Sequence, residues 1–327
     1  MSDTASEQMN PVRLPARDIP PPKTISAQAQ AYLSVSALNP MMERPDPSDT
    51  AGWSEARVRS DAMFAPMVQA MLEGSTALIE DEAMNGVGVY VARPAGGATS
   101  PAVYLYIHGG AFVFGGGLFA KAQAGSNADQ LGCTVVSVDY RMPPEDPFPA
   151  APEDCVEVYR ALLETHSPKD IVIGGGSAGG NLAAVATLMI RDQGLPMPAG
   201  VVLLTPEVDL TESGDSFRTN ELLDVMLKRG LPECNAVYAG GRDLRDPYLS
   251  PLFADVSGFP PAFVQTGTRD LFLSNSVLFH RKLRSAGVDA DLHVWEAMPH
   301  GGFGGTSPED AELAAETRAF IARVTAR

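Results

Sequence analysis

The apolar pattern of this chain changes period near Gly86. Before it, from about Ile25 to Asn39 and from Glu55 to Leu72, alanine-rich segments with spaced apolar residues predict helices, separated by Pro45 and Pro47. Beyond it, Val87, Val89 and Val91 alternate with smaller partners, as in a strand of an antiparallel edge. Ala102–Ile107 is a continuous apolar run, the pattern of a strand buried on both faces. Strands and helices then alternate: strand Thr134–Val138, helix from Ala151 to Glu164, strand Ile171–Ile173, a helix from Ser177 and strand Val201–Leu204. A stretch at about 207–247 interrupts this order, polar at first and then helical over Asn220–Lys228. The order resumes with strand Ala262–Gln265, helix Ser274–Ala286, strand Ala290–Trp295 and a terminal helix from Pro308. Such alternation predicts an α/β fold, a mostly parallel sheet covered by helices on both faces. The expected organisation is an α/β core over 83–327, with helical segments at 1–82 and about 207–247 that pack together as a cap. Residues 1–24 carry Pro11, Pro15 and Pro20-Pro21-Pro22 and are expected to lie extended along the surface or partly disordered.

Length agrees with one large α/β domain plus an appendage, at 327 residues. The charge is strongly acidic, −16 from 24 Lys and Arg against 40 Asp and Glu, with no basic run. That argues against nucleic acid and anionic membrane surfaces as partners. Cys133, Cys155 and Cys234 are widely spaced, with no Cys-x-x-Cys pair and no metal-ligand spacing to histidine. They read as buried reduced thiols and, with a polar N-terminus unlike a secretory signal, they place the protein in the cytoplasm. No apolar stretch reaches membrane-spanning length, and no motif calls for a cofactor or metal.

The chemistry concentrates at Gly175-Gly176-Ser177-Ala178-Gly179, which stands between a predicted strand and a predicted helix. A Gly-x-Ser-x-Gly in that context is the nucleophile elbow of an α/β-hydrolase, which lifts the serine hydroxyl above the sheet. Elsewhere the same pentapeptide would be a flexible loop. A serine nucleophile needs a base and an orienting carboxylate, in the chain order serine, acid, histidine. Three histidines follow Ser177; His280 falls inside a helix and His293 inside a strand, whereas His300 follows the C-terminal end of a strand. Ligands and catalytic groups gather at that end of a parallel sheet, so His300 is the expected general base. Asp270, directly after strand Ala262–Gln265, is the expected acid; Asp209 is its rival, and either could instead cap a helix or turn. His108-Gly109-Gly110-Ala111-Phe112 leaves the strand ending at Ile107 and matches a His-Gly-Gly-Gly-type oxyanion loop. Gly109 and Gly110, with Ala111 as a third candidate, would supply backbone donors beside the N–H of Ala178. A phosphate loop is the alternative for such glycines, but no lysine follows in Walker spacing.

These motifs, with Asp139-Tyr140-Arg141-Met142-Pro143-Pro144-Glu145 and Ser250-Pro251-Leu252, resemble the hormone-sensitive lipase family of α/β-hydrolases, in its bacterial carboxylesterase branch. The resemblance spans about residues 100–305 in family order. It implies a Ser177/Asp270/His300 triad, an oxyanion hole from Gly109, Gly110 and Ala178, no metal, and a cap built from N-terminal and inserted helices. It also implies hydrolysis of short- to medium-chain carboxylic esters, with Glu145 as structural support. Three positions depart from the family pattern: Gly176 replaces Asp or Thr, Ala111 replaces the third glycine, and Gly302 adds a glycine after His300. The first is expected to loosen the elbow or widen the acyl pocket, the last to free the loop of the base. A lactone hydrolase and an amidase with the same triad are alternatives; a non-catalytic receptor is disfavoured because all three triad positions are present. Met41, Met42, Trp53, Phe64 and Met67 are candidates for an adaptable apolar pocket, against ordinary helix packing. Strand Ala290–Trp295 offers an edge for a homodimer.

Overall fold

A computed structural model describes residues 11–38, 41 and 43–326. The chain begins with two helices, α1 (Ala27–Ser36) and α2 (Thr50–Gly74). Ser26 and Asp49 start them as N-caps, their side chains accepting the N–H of Ala29 and Gly52. Then follow strands β1 (Leu78–Met84), β2 (Val87–Arg93) and β3 (Val103–Ile107), helix α3 (Leu118–Leu131), strand β4 (Thr134–Val138) and helix α4 (Ala150–Leu163). The centre of the chain holds β5 (Ile171–Gly176), α5 (Ala178–Asp192), β6 (Gly200–Leu204), the single turn α6 (Ser216–Thr219) and α7 (Pro232–Ala239). It closes with β7 (Ala262–Gly267), α8 (Leu273–Ser285), β8 (Ala290–Trp295) and α9 (Pro308–Thr325). Among the described residues the strands form one sheet in the order β1-β2-β4-β3-β5-β6-β7-β8. It is antiparallel from β1 through β2 to β4 and parallel from there to β8. This is the α/β-hydrolase fold.

Burial follows topology. β3 is buried along its whole length and β5 almost so, because helices cover both faces of a parallel sheet. One core lies against α4, α5 and α8, and a second against α3 and α9. All three cysteines are free and buried. No helix among the described residues is long and apolar enough to cross a membrane.

Two departures from the sequence pattern have local causes. β1 reads Leu-Ile-Glu-Asp-Glu-Ala-Met and is exposed over most of its length, so an edge strand arises with no apolar alternation to announce it. Conversely, Asn220–Lys228 is not a helix. Asp224 turns its carboxylate onto the N–H groups of Met226 and Leu227, at 2.8 and 3.0 Å, replacing helical carbonyl acceptors. Leu222 also takes φ 61°, which ends any right-handed turn.

The N-terminal segment and the segment after β6 meet above the loops that follow β3, β7 and β8. Trp53 of α2 packs with Phe217, Leu231 and Val237, and with Val113, Leu271 and Phe272 from the loops below. Ile25 and Leu33 pack with Val225, Met298 and Phe303. Arg44 donates to the carbonyl of Gly230 and pairs with Glu233 at 3.3 Å, and Lys228 donates to the carbonyl of Ala37 at 2.8 Å. Ser26 ties α1 to the sheet domain, its N–H and hydroxyl both reaching the Glu309 carboxylate at 2.7 Å.

Candidate active site

Ser177 is the single residue between β5 and α5, with φ 58° and ψ −124°. A non-glycine residue is strained there, and the surroundings must enforce it. Three backbone bonds do so: Ser177 N–H donates to Leu204 at 2.9 Å, while its carbonyl accepts from Asn181 at 3.1 Å and Glu207 at 3.3 Å. Small residues make the turn close enough to the sheet. A Cβ on Gly179 would lie 2.0 Å from the carbonyl oxygen of Ile107, and one on Gly175 would lie 2.4 Å from the same atom. Gly176 is different, since a Cβ there would meet nothing nearer than 3.7 Å. The absence of a side chain at Gly176 therefore leaves room beside Ser177, and the elbow itself keeps its close packing.

The loop leaving β3 runs beside this elbow. A Cβ on Gly109 would stand 3.3 Å from Ser177 Cβ, and the N–H groups of Gly109 and Gly110 make no backbone hydrogen bond among the described residues. Gly110 has φ 117°, and Ala111 and Phe112 follow at 53° and 65°. The alanine in the third position of the motif thus adopts the left-handed region that favours glycine. His108 anchors the loop: it is fully buried, its ring stacks on Tyr140 at 4.1 Å, and its Nδ1 lies 2.8 Å from the Gly109 carbonyl. Burial pushes its pKa down to about 4. The ring is therefore neutral and donates Nδ1–H to that carbonyl. Tyr140 supports the same segment by donating to the His108 carbonyl at 3.1 Å. Glu145 stands further off, half-exposed and paired with Arg57 of α2 at 3.0 Å.

Asp270 and His300 come together. Asp270, fully buried after β7, places Oδ1 3.0 Å from His300 Nδ1 and also accepts from Phe272 N–H at 2.9 Å, while Thr266 donates to Oδ2 at 2.6 Å. A carboxylate against Nδ1 selects the tautomer with Nδ1–H and leaves Nε2 as the ring's acceptor atom. Phe272 packs edge-on against the ring at 4.8 Å. Ser177 and His300 make no direct hydrogen bond among the described residues; such contacts commonly tighten only when substrate binds. Asp209 is engaged elsewhere, its carboxylate accepting from Thr211 and Ser213 in its own turn. His280 faces the Ala290 carbonyl and His293 pairs with Glu316, both away from this cluster.

Two buried carboxylates here have no local motif. Asp224 Oδ2 accepts the N–H of Leu271 at 2.8 Å and of His300 at 3.1 Å. Burial, and next the charge of Asp270, raise its pKa to about 6, with His300 opposing. Glu207, three residues past β6, is fully buried, and among the described residues neither carboxyl oxygen has a hydrogen-bond partner. Burial, then the charge of Glu212, hold its pKa well above the usual carboxylate range. Its place three residues after a strand gave no signal, because Thr205-Pro206-Glu207 reads as an ordinary turn. Of the residues suggested for an apolar pocket, Trp53 is buried, Phe64 is half-buried against Phe119, Met41 and Met67 are exposed, and Met42 lies outside the described residues.

Comparison with known proteins shows which chains this one is similar to. Residues 104–303 match a family described as having the alpha/beta hydrolase fold. An acetyl-hydrolase of Streptomyces hygroscopicus is 34% identical over 198 residues, which is 60% of this chain and 66% of that protein, just under two thirds of its length. The crystal structure of an esterase, E25, superposes with a TM-score of 0.87 at 34% identity, covering 96% of this chain and 99% of the other. An esterase of the bacterial hormone-sensitive lipase family superposes at 0.80 with 32% identity, covering 92% and 99%.

Proposed function

The chain belongs to the α/β-hydrolase family matched over residues 104–303, and we propose that it is a serine carboxylesterase acting on short- to medium-chain esters through an acyl-enzyme. Ser177 is the nucleophile, His300 its base and Asp270 the acid that orients the imidazole. The observation that carries this reading is the 3.0 Å contact between His300 Nδ1 and the fully buried Asp270 carboxylate, on loops at the C-terminal strand ends of the sheet whose β5 ends at a serine held at φ 58°.

Ser177 Oγ attacks the ester carbonyl while His300 Nε2 takes its proton. The developing oxyanion is received by the N–H groups of Gly109, Gly110 and Ala178, each such donor being worth roughly 3–4 kcal/mol in the transition state. Collapse expels the alcohol, which receives the proton from His300, and leaves the acyl group on Ser177. Water then attacks with the same base, releasing acid and free enzyme. Asp270 stays anionic throughout and stabilises the imidazolium. The described residues ahead of β1, together with the segment 207–247, act as the cap that shields the acyl-enzyme from bulk water.

Hydrolysis of p-nitrophenyl esters from acetate to palmitate, beside Ser177→Ala, tests this. Activity peaking at short chains, absent in the variant, together with fluorophosphonate labelling of Ser177, supports the esterase. A folded protein that neither turns over esters nor reacts with the probe rules it out.

A further inference from the structure

Each member of the acid–base pair sits on a loop, and loops position side chains less well than helices or strands do. Asp270 and His300 are 30 residues apart in sequence, so some element has to hold their loops together. The direct contact between them accounts for the side chains only. The backbones of the two loops are bonded to each other away from the pair, Arg269 N–H to the Met298 carbonyl at 3.2 Å and Thr268 N–H to the Trp295 carbonyl at 3.0 Å, and beside the pair both donate to one side-chain atom, Oδ2 of Asp224.

We infer that Asp224, reaching down from the segment between β6 and β7, is a positioning residue that fixes the Asp270 loop and the His300 loop to one another. This rests on the triad reading above. Asp224 is fully buried, and its two oxygens have divided tasks. Oδ1 accepts from Met226 and Leu227 and only shapes its own turn. Oδ2 accepts from Leu271, the residue after the acid, and from the base's own backbone N–H. Those two donors lie 47 and 76 residues away in sequence, so no local turn requires that oxygen.

Four residues earlier, Asn220 holds the same loop, its amide donating to the Asp270 carbonyl at 2.8 Å and the Thr268 carbonyl at 3.2 Å. Asn220 and Asp224 are themselves joined by a backbone bond of 2.9 Å. The result is a short strut, donor at one end and acceptor at the other. Capping alone is a weak reason for this residue. A fully buried carboxylate beside a second carboxylate is costly unless its hydrogen bonds compensate it. An uncharged side chain could hold the 220–227 turn without that cost. What the charge adds is strength in two bonds to the catalytic loops, since bonds to an ionised acceptor are about twice as strong as neutral ones. It also adds a second negative group facing the imidazolium that His300 becomes during turnover.

The groups facing Asp224 are Asp270 and His300 from the loops after β7 and β8, and Tyr32 from α1. Protonation of Asp224, centred at about pH 6, weakens Oδ2 as an acceptor. Asp224 therefore contributes a proton of its own to the acid limb of the rate profile.

The test is Asp224→Asn, an isostere, measured on p-nitrophenyl butyrate between pH 5 and pH 9 (roughly the window of a histidine base). Expected is a fall in kcat of about 10- to 100-fold with KM within about threefold, as for a misplacement near 1 Å. The acid limb should also lose one proton relative to wild type. A merely structural residue would lower the thermal midpoint yet leave kcat and the acid limb unchanged, and that result overturns the inference. Should Asp224→Asn fail to fold, Asn220→Ala reads the other end of the strut: a lower kcat at constant KM supports it, and unchanged kcat overturns it. Ser177→Ala, run alongside, separates the two levels. If Ser177→Ala is dead while Asp224→Asn is fully active, only the strut fails; if Ser177→Ala remains active, the triad reading itself fails.

Discussion

Replacing Gly179 by alanine should damage stability and turnover together, whereas the same change three residues earlier, at Gly176, should damage neither. A Cβ at Gly179 would lie 2.0 Å from the Ile107 carbonyl oxygen, 2.6 Å from the His108 carbonyl oxygen and 2.8 Å from the His108 carbonyl carbon. A carbon–oxygen contact normally settles at about 3.3–3.6 Å, so the end of β3 has to retreat by more than about 1 Å. Every obstructing atom is backbone, and β3 is hydrogen-bonded to β4 and β5 on either side. Neither a rotamer change nor a small shift of one side chain relieves the clash. Overpacking of this kind costs about 1–3 kcal/mol and sometimes more, a large share of a stability of about 5–15 kcal/mol. The displaced segment continues directly into His108-Gly109-Gly110, so the oxyanion donors move as well. A shift near 1 Å is worth about 100-fold in rate. At Gly176 the nearest neighbour of a Cβ is the Leu204 carbonyl at 3.7 Å, an ordinary contact. There alanine should gain about 0.4–1 kcal/mol from a less flexible unfolded chain. Urea midpoints and kcat/KM on p-nitrophenyl butyrate, measured for both variants, decide the matter. Equal behaviour of the two would refute the claim that close backbone approach, more than the glycine-rich sequence as such, requires Gly179.

Other outcomes follow from the same geometry. His108 is held neutral, at about 4, against about 6.5 for an unfolded imidazole. Its contribution to stability is full above pH 6.5 and is lost as pH falls toward 4, because the unfolded chain takes up the proton first; the loss is about 3 kcal/mol. Asp224, raised to about 6, acts oppositely over part of that range, so the effect is read as the difference between wild type and His108→Asn in urea midpoints at neutral and acid pH. Asp270→Asn should lose about 10⁴-fold in kcat, as expected when the orienting acid is neutralised. Asp209→Asn should stay within about threefold in kcat while losing about 1 kcal/mol from its turn bonds, and a large kinetic loss in Asp209→Asn with Asp270→Asn near wild type would reverse the choice of acid. Asn181 donates to the carbonyls of Glu207 and Leu249 at 2.7 and 2.8 Å; Asn181→Ala should cost about 2–4 kcal/mol by stranding two buried acceptors, checked by urea unfolding.

The loops around His300 bear on the glycine that follows it. Gly302 stands at φ 90°, and a Cβ there would come within 2.7 Å of Asp310 Oδ1. Asp310 also accepts the N–H of Phe303 and closes the capping box of α9 with Ser307. The extra glycine thus lets the chain turn tightly onto a helix start, and the loop carrying the base is bonded at His300 through Asp224 and at Phe303 through Asp310.

Sequence by itself determined those parts of this protein whose physical cause is local. Ile171–Gly176 and Ala178–Asp192 are legible because a buried strand and an apolar helix each carry their own period, and the elbow between them is legible because Ser177 needs small neighbours. Asp270 and His300 could be placed on loops after strands for the same reason. Tertiary structure alone decided what has no local signature. The edge strand Leu78–Met84 exists because β2 offers it a partner, although its own residues are mostly polar. The expected helix at Asn220–Lys228 is absent because Asp224 satisfies the turn with its own carboxylate and spends its second oxygen on Leu271 and His300. Asp224 and Glu207 become buried carboxylates only once distant segments close over them, and burial, which raises both pKa values, belongs to the folded chain and to no stretch of its sequence.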